Sequence, residues 1–182
     1  MFGKSGYVRF LAKAEGIKTQ SLEPSPQEEV DYLISLNKFA PEQIKLFYIL
    51  REASRLRERK NLNEEQIKTA IGQLLQKANS MIPAFASVLP DVASLQPAYG
   101  KYWSAPANWW EAPVAWFTPG GDGDKTGGKF THTINRHSSE YRNLHMYRLL
   151  TDAVLRGERV FAVVGRNHVP MQAEAIRCAL QQ

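Results

Sequence analysis

The sequence has little of what would cross-link the chain or anchor it in a membrane. Its only cysteine is Cys178, so an intramolecular disulfide is excluded and the redox compartment is left open. No apolar stretch approaches the ~20 residues that span a bilayer, and residues 1–10 lack the apolar core of a secretion signal. We expect a soluble chain without a membrane span, whose localisation the sequence does not indicate.

The sequence also lacks a concentrated excess of one charge. The 23 basic and 18 acidic residues give a net charge of +5, and the densest basic run, residues 51–60, contains Glu52 and Glu58. A nucleic-acid surface would concentrate basic side chains on one face. We therefore expect no nucleic acid among the partners. The 182 residues, 43% of them hydrophobic, predict one globular domain.

Helical spacing of apolar residues predicts that most of the first 80 residues are helical. Helices are expected over residues 4–15 and after Pro26. Asn63, with Gln66 three residues later, is typical of a capping box at a helix N-terminus. We interpret residues 37–80 as a helical insertion in the domain.

Residues 82–132 have a different composition, with six prolines and all four tryptophans. We interpret this segment as an irregular aromatic loop region, and such long loops often serve as lids or binding loops. Trp109 and Trp110 are therefore candidates to contact a peptide, a haem-like molecule or a saccharide. The alternative is that the tryptophans bury this segment against the rest of the domain.

Two short apolar segments predict β-strands. Residues 17–22 are expected to form one strand, and residues 158–164 (ERVFAVV) are typical of a buried parallel strand. Helices are predicted over about 139–156 and 171–180. Strands that are connected through helices run in the same direction. We therefore predict an α/β fold with a parallel-stranded sheet flanked by helices, a helical insertion and a long aromatic, proline-rich loop.

Three polar residues are expected to meet at one edge of this sheet. Glu23 follows the first predicted strand, His168 follows the second, and Arg142 lies in the first turn of the intervening helix. Ligands bind such sheets outside the carboxyl ends of the strands, which makes these residues a candidate site. The alternative is a structural cluster, in which Arg142 pairs with Glu23 and His168 caps the last helix.

A glycine-rich segment fits the frame of a phosphate-binding loop. Residues 123–129 match Gly-x-x-x-x-Gly-Lys, but Phe130 replaces the Ser or Thr that would bind magnesium, and no buried strand precedes the segment. We interpret residues 120–129 as a mobile turn that leads into a β-prone stretch over residues 130–134.

The remaining histidines are weaker candidates. His137 precedes a predicted helix and is a reserve candidate for the site. His145 lies one helical turn beyond Arg142 and is expected to pack or to face solvent. The sequence offers no functional argument for His132.

Three segments resemble the TraB/GumN/Tiki-type family, which belongs to the erythromycin esterase-like and ChaN-like superfamily. They are residues 21–24 (SLEP), 141–146 (YRNLHM) and 160–168 (VFAVVGRNH), which together extend over most of the chain. The family is marked by two Gly-x-x-His segments, an acidic residue and an arginine. Here one such segment is present, formed by Gly165 and His168, and no strand precedes the first helix. The resemblance therefore implies that the chain is the C-terminal part of a longer parent.

The resemblance implies a metal-dependent hydrolase that cleaves a peptide or ester bond in a small-molecule or peptide substrate. Glu23 would be a ligand of a divalent metal or a general base, and His168 a metal ligand or a proton carrier. Arg142 would clamp an oxyanion or a carboxylate.

Neighbouring residues in the same segments, Asn143, Arg166 and Asn167, are expected to bind the substrate. The alternative function is a non-catalytic module that binds a small ligand, and a third interpretation is a remnant domain without activity of its own. The sequence does not indicate the oligomeric state.

Overall fold

The computed structural model of the chain describes residues 4–118, 120–166, 168–179 and 181. In these residues the secondary structure is helical, with α-helices and three short 3-10 helices. The α-helices are α1 (Lys4–Ala14), α2 (Pro26–Ser35), α3 (Pro41–Lys60), α4 (Glu64–Met81), α5 (Leu95–Gly100), α6 (Gly123–Thr126), α7 (Phe130–Leu155) and α8 (His168–Ala179). The 3-10 helices are Pro83–Phe85, Trp109–Glu111 and Val114–Phe117. None of the helices in the described ranges is both long and apolar enough to cross a membrane.

The chain divides into two units. The core unit is Ser25–Glu140, and the terminal unit combines Met1–Pro24 with Tyr141–Gln182. Helix α7 contributes residues to both units. The predicted insertion at 37–80 and the predicted loop region at 82–132 fall inside the core unit, and their boundaries stay predictions.

Local capping signals define the starts of the helices in the core unit. Ser25 accepts a hydrogen bond from the backbone N–H of Glu28, whose carboxylate accepts from the backbone of Ser25 in return. The capping box predicted from Asn63 and Gln66 is confirmed at the start of α4, with both hydrogen bonds 3.0 Å long. These reciprocal bonds satisfy N–H groups that have no partner inside a helix.

The apolar core of the protein lies in the core unit and is centred on α3. Phe47 and Leu50 of α3 are completely buried, and Trp109 is 1% exposed. Burying a large apolar side chain stabilises a fold by about 1.5–3 kcal/mol, so this cluster dominates the stability of the unit. Its other members include Val30, Leu33, Ile44, Leu46, Ile49, Leu56, Ile67, Ile71, Leu75, Phe85, Leu95, Tyr99, Trp103, Trp116 and Ile134.

The aromatic segment contributes to this core. The rings of Trp103 and Trp116 stack with centroids 4.9 Å apart, and Tyr99 stacks on Trp103 at 5.3 Å. Each indole N–H donates to a backbone carbonyl, from Trp103 to Gly127 and from Trp116 to Thr126. Three of the four tryptophans are buried, and the indole N–H groups of Trp103 and Trp116 have backbone partners.

A buried lysine closes the bend that follows α4. The ammonium of Lys45, 1% exposed, donates to the carbonyls of Phe85 and Leu89 at 3.0 Å, and also to Asn79 and the Val88 carbonyl. Leu89 has a left-handed φ of 47°, so its carbonyl is fixed in an uncommon turn. Burial lowers the pKa of Lys45 to about 8.

The prediction of a β-prone stretch at residues 130–134 is wrong, because these residues form the first turn of α7. The buried face of this part of α7 is mostly polar. Thr131 donates to the Trp116 carbonyl, Asn135 donates to the Phe117 carbonyl, and Ser138 donates to Glu29. A helix whose inward positions carry hydrogen-bonding groups has no apolar stripe, so the sequence pattern missed it.

The prediction of an α/β fold with a parallel-stranded sheet is also wrong. The predicted strands at 17–22 and 158–164 are irregular, and the described residues contain no strand or sheet. Strand formation depends on a paired neighbour more than on intrinsic preference, and a single strand leaves its backbone groups unsatisfied. An apolar, β-prone composition therefore did not produce a strand in the terminal unit.

Candidate functional site

The candidate site in the terminal unit is built on an ion pair between Glu23 and Arg142. Glu23 follows the irregular segment after α1, and its backbone N–H donates to the Ser21 hydroxyl at 3.1 Å. Arg142 projects from α7, and its Nε and Nη2 atoms each donate to one carboxylate oxygen of Glu23 at 2.7 Å. This two-pronged geometry fixes the guanidinium more firmly than a single contact would.

The ion pair also controls the charge of Glu23. The hydrogen bond from Arg142 lowers the pKa of Glu23, and partial burial opposes this effect. Coulombic interactions with Arg142, His168 and His145 lower that pKa further. Glu23 is therefore an ionised carboxylate at neutral pH, and it lies within the electrostatic reach of His168.

His168 is held in one orientation at the start of α8. Its Nδ1 lies 2.6 Å from Oδ1 of Asn143, and its backbone N–H donates to the Gly165 carbonyl at 2.9 Å. The side-chain amide of Gln172 donates to the same Asn143 oxygen at 3.4 Å. Because an amide oxygen can only accept, Nδ1 donates in this contact, so that whenever the ring is neutral the lone pair is on Nε2.

The glycine of the Gly-x-x-His segment has a steric role here. A Cβ atom at Gly165 would lie 3.3 Å from Cδ2 of His168, which is tighter than ordinary van der Waals contact. A larger residue would therefore require the imidazole ring to shift by a few tenths of an ångström. The Gly-x-x-His segment thus provides both a backbone hydrogen bond at the start of α8 and an imidazole with a defined orientation.

The structure brings only some of the predicted site residues together. Glu23 contacts Arg142, and His168 contacts Asn143, all within the terminal unit. Arg166 is exposed in the turn before α8, and Asn167 lies outside the described residues.

The other predicted ligand-binding residues, Trp109 and Trp110, belong to the core unit. Trp109 is buried, whereas Trp110 is half-buried with the Lys68 ammonium 4.1 Å from its ring centroid. Together with Asn108 and Gln96, both tryptophans border a shallow groove of about 420 Å³. The reserve candidate, His137, is also in the core unit, 3.1 Å from Glu140.

Sequence reasoning missed Gln172 and the orienting role of Asn143. Gln172 lies four residues after His168, so helical spacing alone places both on one face of α8. That signal was hidden because the last helix was expected to begin at Met171, whereas it begins at His168.

Glu23 and His168 are the predicted ligands of a divalent metal. Both carboxylate oxygens of Glu23 accept from Arg142, so the ion pair would have to open before Glu23 could bind a metal. A catalytic zinc site takes three protein ligands, and in the described ranges no three His, Cys, Asp or Glu side chains are grouped in this way. Glu23 and His168 therefore remain a predicted pair of ligands without a third.

The glycine-rich segment that resembles a phosphate loop encloses a histidine instead. His132 is 2% exposed, with Nδ1 2.9 Å from the Thr118 carbonyl and Nε2 2.6 Å from the Thr126 hydroxyl. A Cβ atom at Gly121 or Gly128 would lie 2.5 or 2.8 Å from this ring. These glycines therefore allow close packing around an imidazole.

Comparison of the chain with family models, curated proteins and solved structures gives no match. The resemblance to the TraB/GumN/Tiki-type family stays a prediction that is based on the three segments alone.

Proposed function

We propose that the terminal unit carries a hydrolase site, in which His168 acts as the general base that activates water against a peptide or ester bond. The observation that carries this proposal is the 2.6 Å contact between His168 Nδ1 and Asn143 Oδ1. A general base needs a lone pair in a defined direction, and an acceptor on Nδ1 leaves that lone pair on Nε2.

In this proposal Arg142 stabilises the negative charge that develops on the carbonyl oxygen during attack. The bidentate contact with Glu23 supports this role, because it holds the guanidinium in place before the substrate arrives. Pre-positioned cationic donors stabilise an oxyanion without having to reorganise during the reaction. Glu23 is then a positioning residue for Arg142. No step depends on a bound metal, because the described residues provide no third ligand.

The proposal is tested by assaying the full chain against a panel of p-nitrophenyl esters and fluorogenic peptides. Replacing His168 by Ala should lower kcat at least about 100-fold, since general-base catalysis contributes about 10²–10⁴. Asn143→Ala should lower kcat by a smaller factor, and added imidazole should partly rescue His168→Ala. The matched control is His145→Ala, which removes a histidine from the same unit and should retain activity.

Two results would overturn the proposal. One is unchanged hydrolysis by His168→Ala. The other is an absence of hydrolysis by the wild-type chain across the panel, both in EDTA and with added Zn²⁺ or Mn²⁺. Circular dichroism of each variant separates loss of chemistry from loss of folding. The metal arm also tests the predicted ligand pair, because metal-dependent activity should then be lost in Glu23→Gln as well.

A second candidate is a small-ligand site at the groove beside Trp110. A half-buried indole face next to amide side chains is a common platform for saccharides and peptides. Titration with oligosaccharides and short peptides should change the tryptophan fluorescence. The variant Trp110→Ala should abolish the change, while Trp116→Phe preserves the groove. An equal response from Trp110→Ala would exclude this site.

A further inference from the structure

An apolar segment of the terminal unit is exposed although its composition is that of a core. Val160 is 44% exposed, Phe161 is 83% exposed and Val163 is 38% exposed. The segment lies between the end of α7 and the start of α8, and it is irregular throughout. These side chains therefore present a contiguous apolar stretch to solvent.

The backbone of this segment is also unpaired within the described chain. The turn after α7 closes with the N–H of Glu158 donating to the Ala153 carbonyl, and hydrogen bonding resumes where His168 donates to Gly165. Between them, the structure shows no hydrogen bond to the backbone of residues 159–164 from any described residue. A β-prone segment with open N–H and C=O groups is a template for pairing with another strand.

The charges at the two ends of the segment select the partner and the direction of pairing. Glu158 and Arg166 lie four residues before and four residues after Ala162. If two copies pair in antiparallel register centred on Ala162, each Glu158 faces Arg166 of the second copy. Parallel pairing in register would instead place like charges side by side, which destabilises a strand pair.

The same register also places the apolar residues of the two copies opposite one another. Antiparallel pairing about Ala162 sets Val160 opposite Val164 of the second copy and Phe161 opposite Val163 of the second copy. Such aromatic and β-branched pairs are the favourable cross-strand combinations. Glu158 can exchange its partner, because its ion pair with Arg156 is at the surface. The side chain of Arg156 is 62% exposed and that of Glu158 is 55% exposed.

We propose that residues 158–166 form an antiparallel strand pair with the same segment of a second copy of this chain, and so make a homodimer. The pairing supplies hydrogen-bond partners to residues 159–164 and covers the exposed Phe161 ring. It does not depend on the proposed hydrolase chemistry. The pairing predicts strand content that appears only with dimerisation.

Charge reversal tests the proposal most sharply. In Glu158→Arg alone, and in Arg166→Glu alone, both cross-strand pairs of the dimer become repulsive. We expect the dimer dissociation constant of each variant to rise at least about tenfold, as measured by sedimentation velocity over a concentration series. Mixing the two variants in equal amounts restores both opposite-charge pairs, so a heterodimer of wild-type strength should form. The double variant should dimerise like the wild type.

Two further variants separate strand pairing from general stickiness. Ala162→Pro should abolish dimerisation, because proline at the centre of a paired strand removes an N–H group and distorts the ladder. Leu155→Asp is the matched control, since Leu155 is 66% exposed but lies outside the segment, and it should leave the dimer intact.

Several outcomes would overturn the proposal. They are a wild-type chain that stays monomeric at every concentration measured, a dimer that survives Ala162→Pro, and a mixture of the charge variants that associates no better than either alone. Slow amide exchange of residues 159–164 in a monomer would also overturn it, because that result would mean pairing within one chain, for example with residues 17–22.

Discussion

The two units of this protein differ in how they treat apolar side chains. The members of the buried apolar cluster belong to the core unit, whereas 11 of the 13 large apolar side chains found exposed in the described ranges belong to the terminal unit. In the terminal unit Met146 is buried at 2% exposure, but Phe161 is 83% exposed. The core unit buries most of its large apolar side chains, while the terminal unit leaves most of its own exposed.

The units also differ in their polar groups. The core unit buries Lys45, Thr131 and Asn135, and each has hydrogen-bond partners on the backbone. The main polar contact of the terminal unit, between Glu23 and Arg142, is near the surface. Buried polar groups with partners define one packing arrangement, whereas an ion pair near the surface contributes little to the free energy of unfolding. The candidate site thus lies in the unit with less internal packing, as is common for functional regions.

The sharpest test of this contrast is to replace one phenylalanine by alanine in each unit and to compare the losses in the free energy of unfolding. Phe47→Ala, at a fully buried position, should lower the free energy of unfolding by about 3–5 kcal/mol. Phe161→Ala, at an 83% exposed position, should change it by less than about 0.5 kcal/mol. Urea denaturation at a concentration that keeps the chain monomeric measures both. Equal losses would mean that the terminal unit has a core of its own.

A second prediction concerns the packing of glycine around His132. A Cβ atom at Gly128 would lie 2.8 Å from the ring, so Gly128→Ala should destabilise the protein by about 1–3 kcal/mol. Gly120→Ala is the control, since a Cβ atom there would meet no described atom within 4 Å apart from its chain neighbours. Combining Gly128→Ala with His132→Ala should recover part of the loss. Additive effects in this double-mutant cycle, followed by thermal unfolding, would show that the ring is not the obstacle.

A third prediction uses the buried amine of Lys45. Its pKa is about 8 in the folded chain and about 10.5 when it is unperturbed, so the unfolded chain binds more protons between these values. Stability should therefore rise as the pH rises from 8 to 10, by about 2 kcal/mol. Above pH 10 the trend should reverse, because burial raises the pKa of Tyr99 to about 12 and the unfolded chain loses that proton first.

Urea titrations across this pH range check the prediction, and Lys45→Met should remove the rise. The matched control is Lys77→Met, which replaces an exposed lysine of α4 and should leave the rise in place. A flat profile for the wild-type chain would mean that the hydrogen bonds from Lys45 to the four surrounding oxygens cancel the effect of burial.

The smallest expected effect is in the terminal unit. Glu23→Gln should cost less than about 1 kcal/mol, because Glu23 is 49% exposed in its ion pair. The lowered pKa of Glu23 means that this contribution is present above the unfolded value of 4.5 and is lost as the pH falls through the folded value. Unfolding curves at pH 7 and pH 3 measure the difference. A cost above about 2 kcal/mol would show that the ion pair is structural.

The helices were predictable where their signals are local. The capping box of Asn63 and Gln66 depends on residues three positions apart, and the structure contains it. The start of α7 was not predictable from apolar spacing, because Thr131, Asn135 and Ser138 occupy its buried face. Their burial depends on backbone carbonyls at residues 116 and 117 and on Glu29, which no local pattern reveals.

The prediction of the sheet was wrong for the opposite reason. Val160 and Phe161 have the right composition for a strand, but strand pairing is non-local, and the described residues place no strand beside them. Glu23 and Arg142 were predicted to meet at an edge of that sheet. The contact is present, but no sheet edge in the described residues brings the two side chains together. The contact of Asn143 with His168 could not be predicted, because it depends on where α8 begins.

The amine of Lys45 also gives the protein an internal reporter. At 1% exposure the amine of Lys45 is shielded from acylating reagents as long as the core unit stays closed. Its rate of acetylation, followed by mass spectrometry, should therefore follow the opening of the bend at Phe85 and Leu89. Surface lysines would be modified from the start, so one late-reacting site would time the loosening of the core unit.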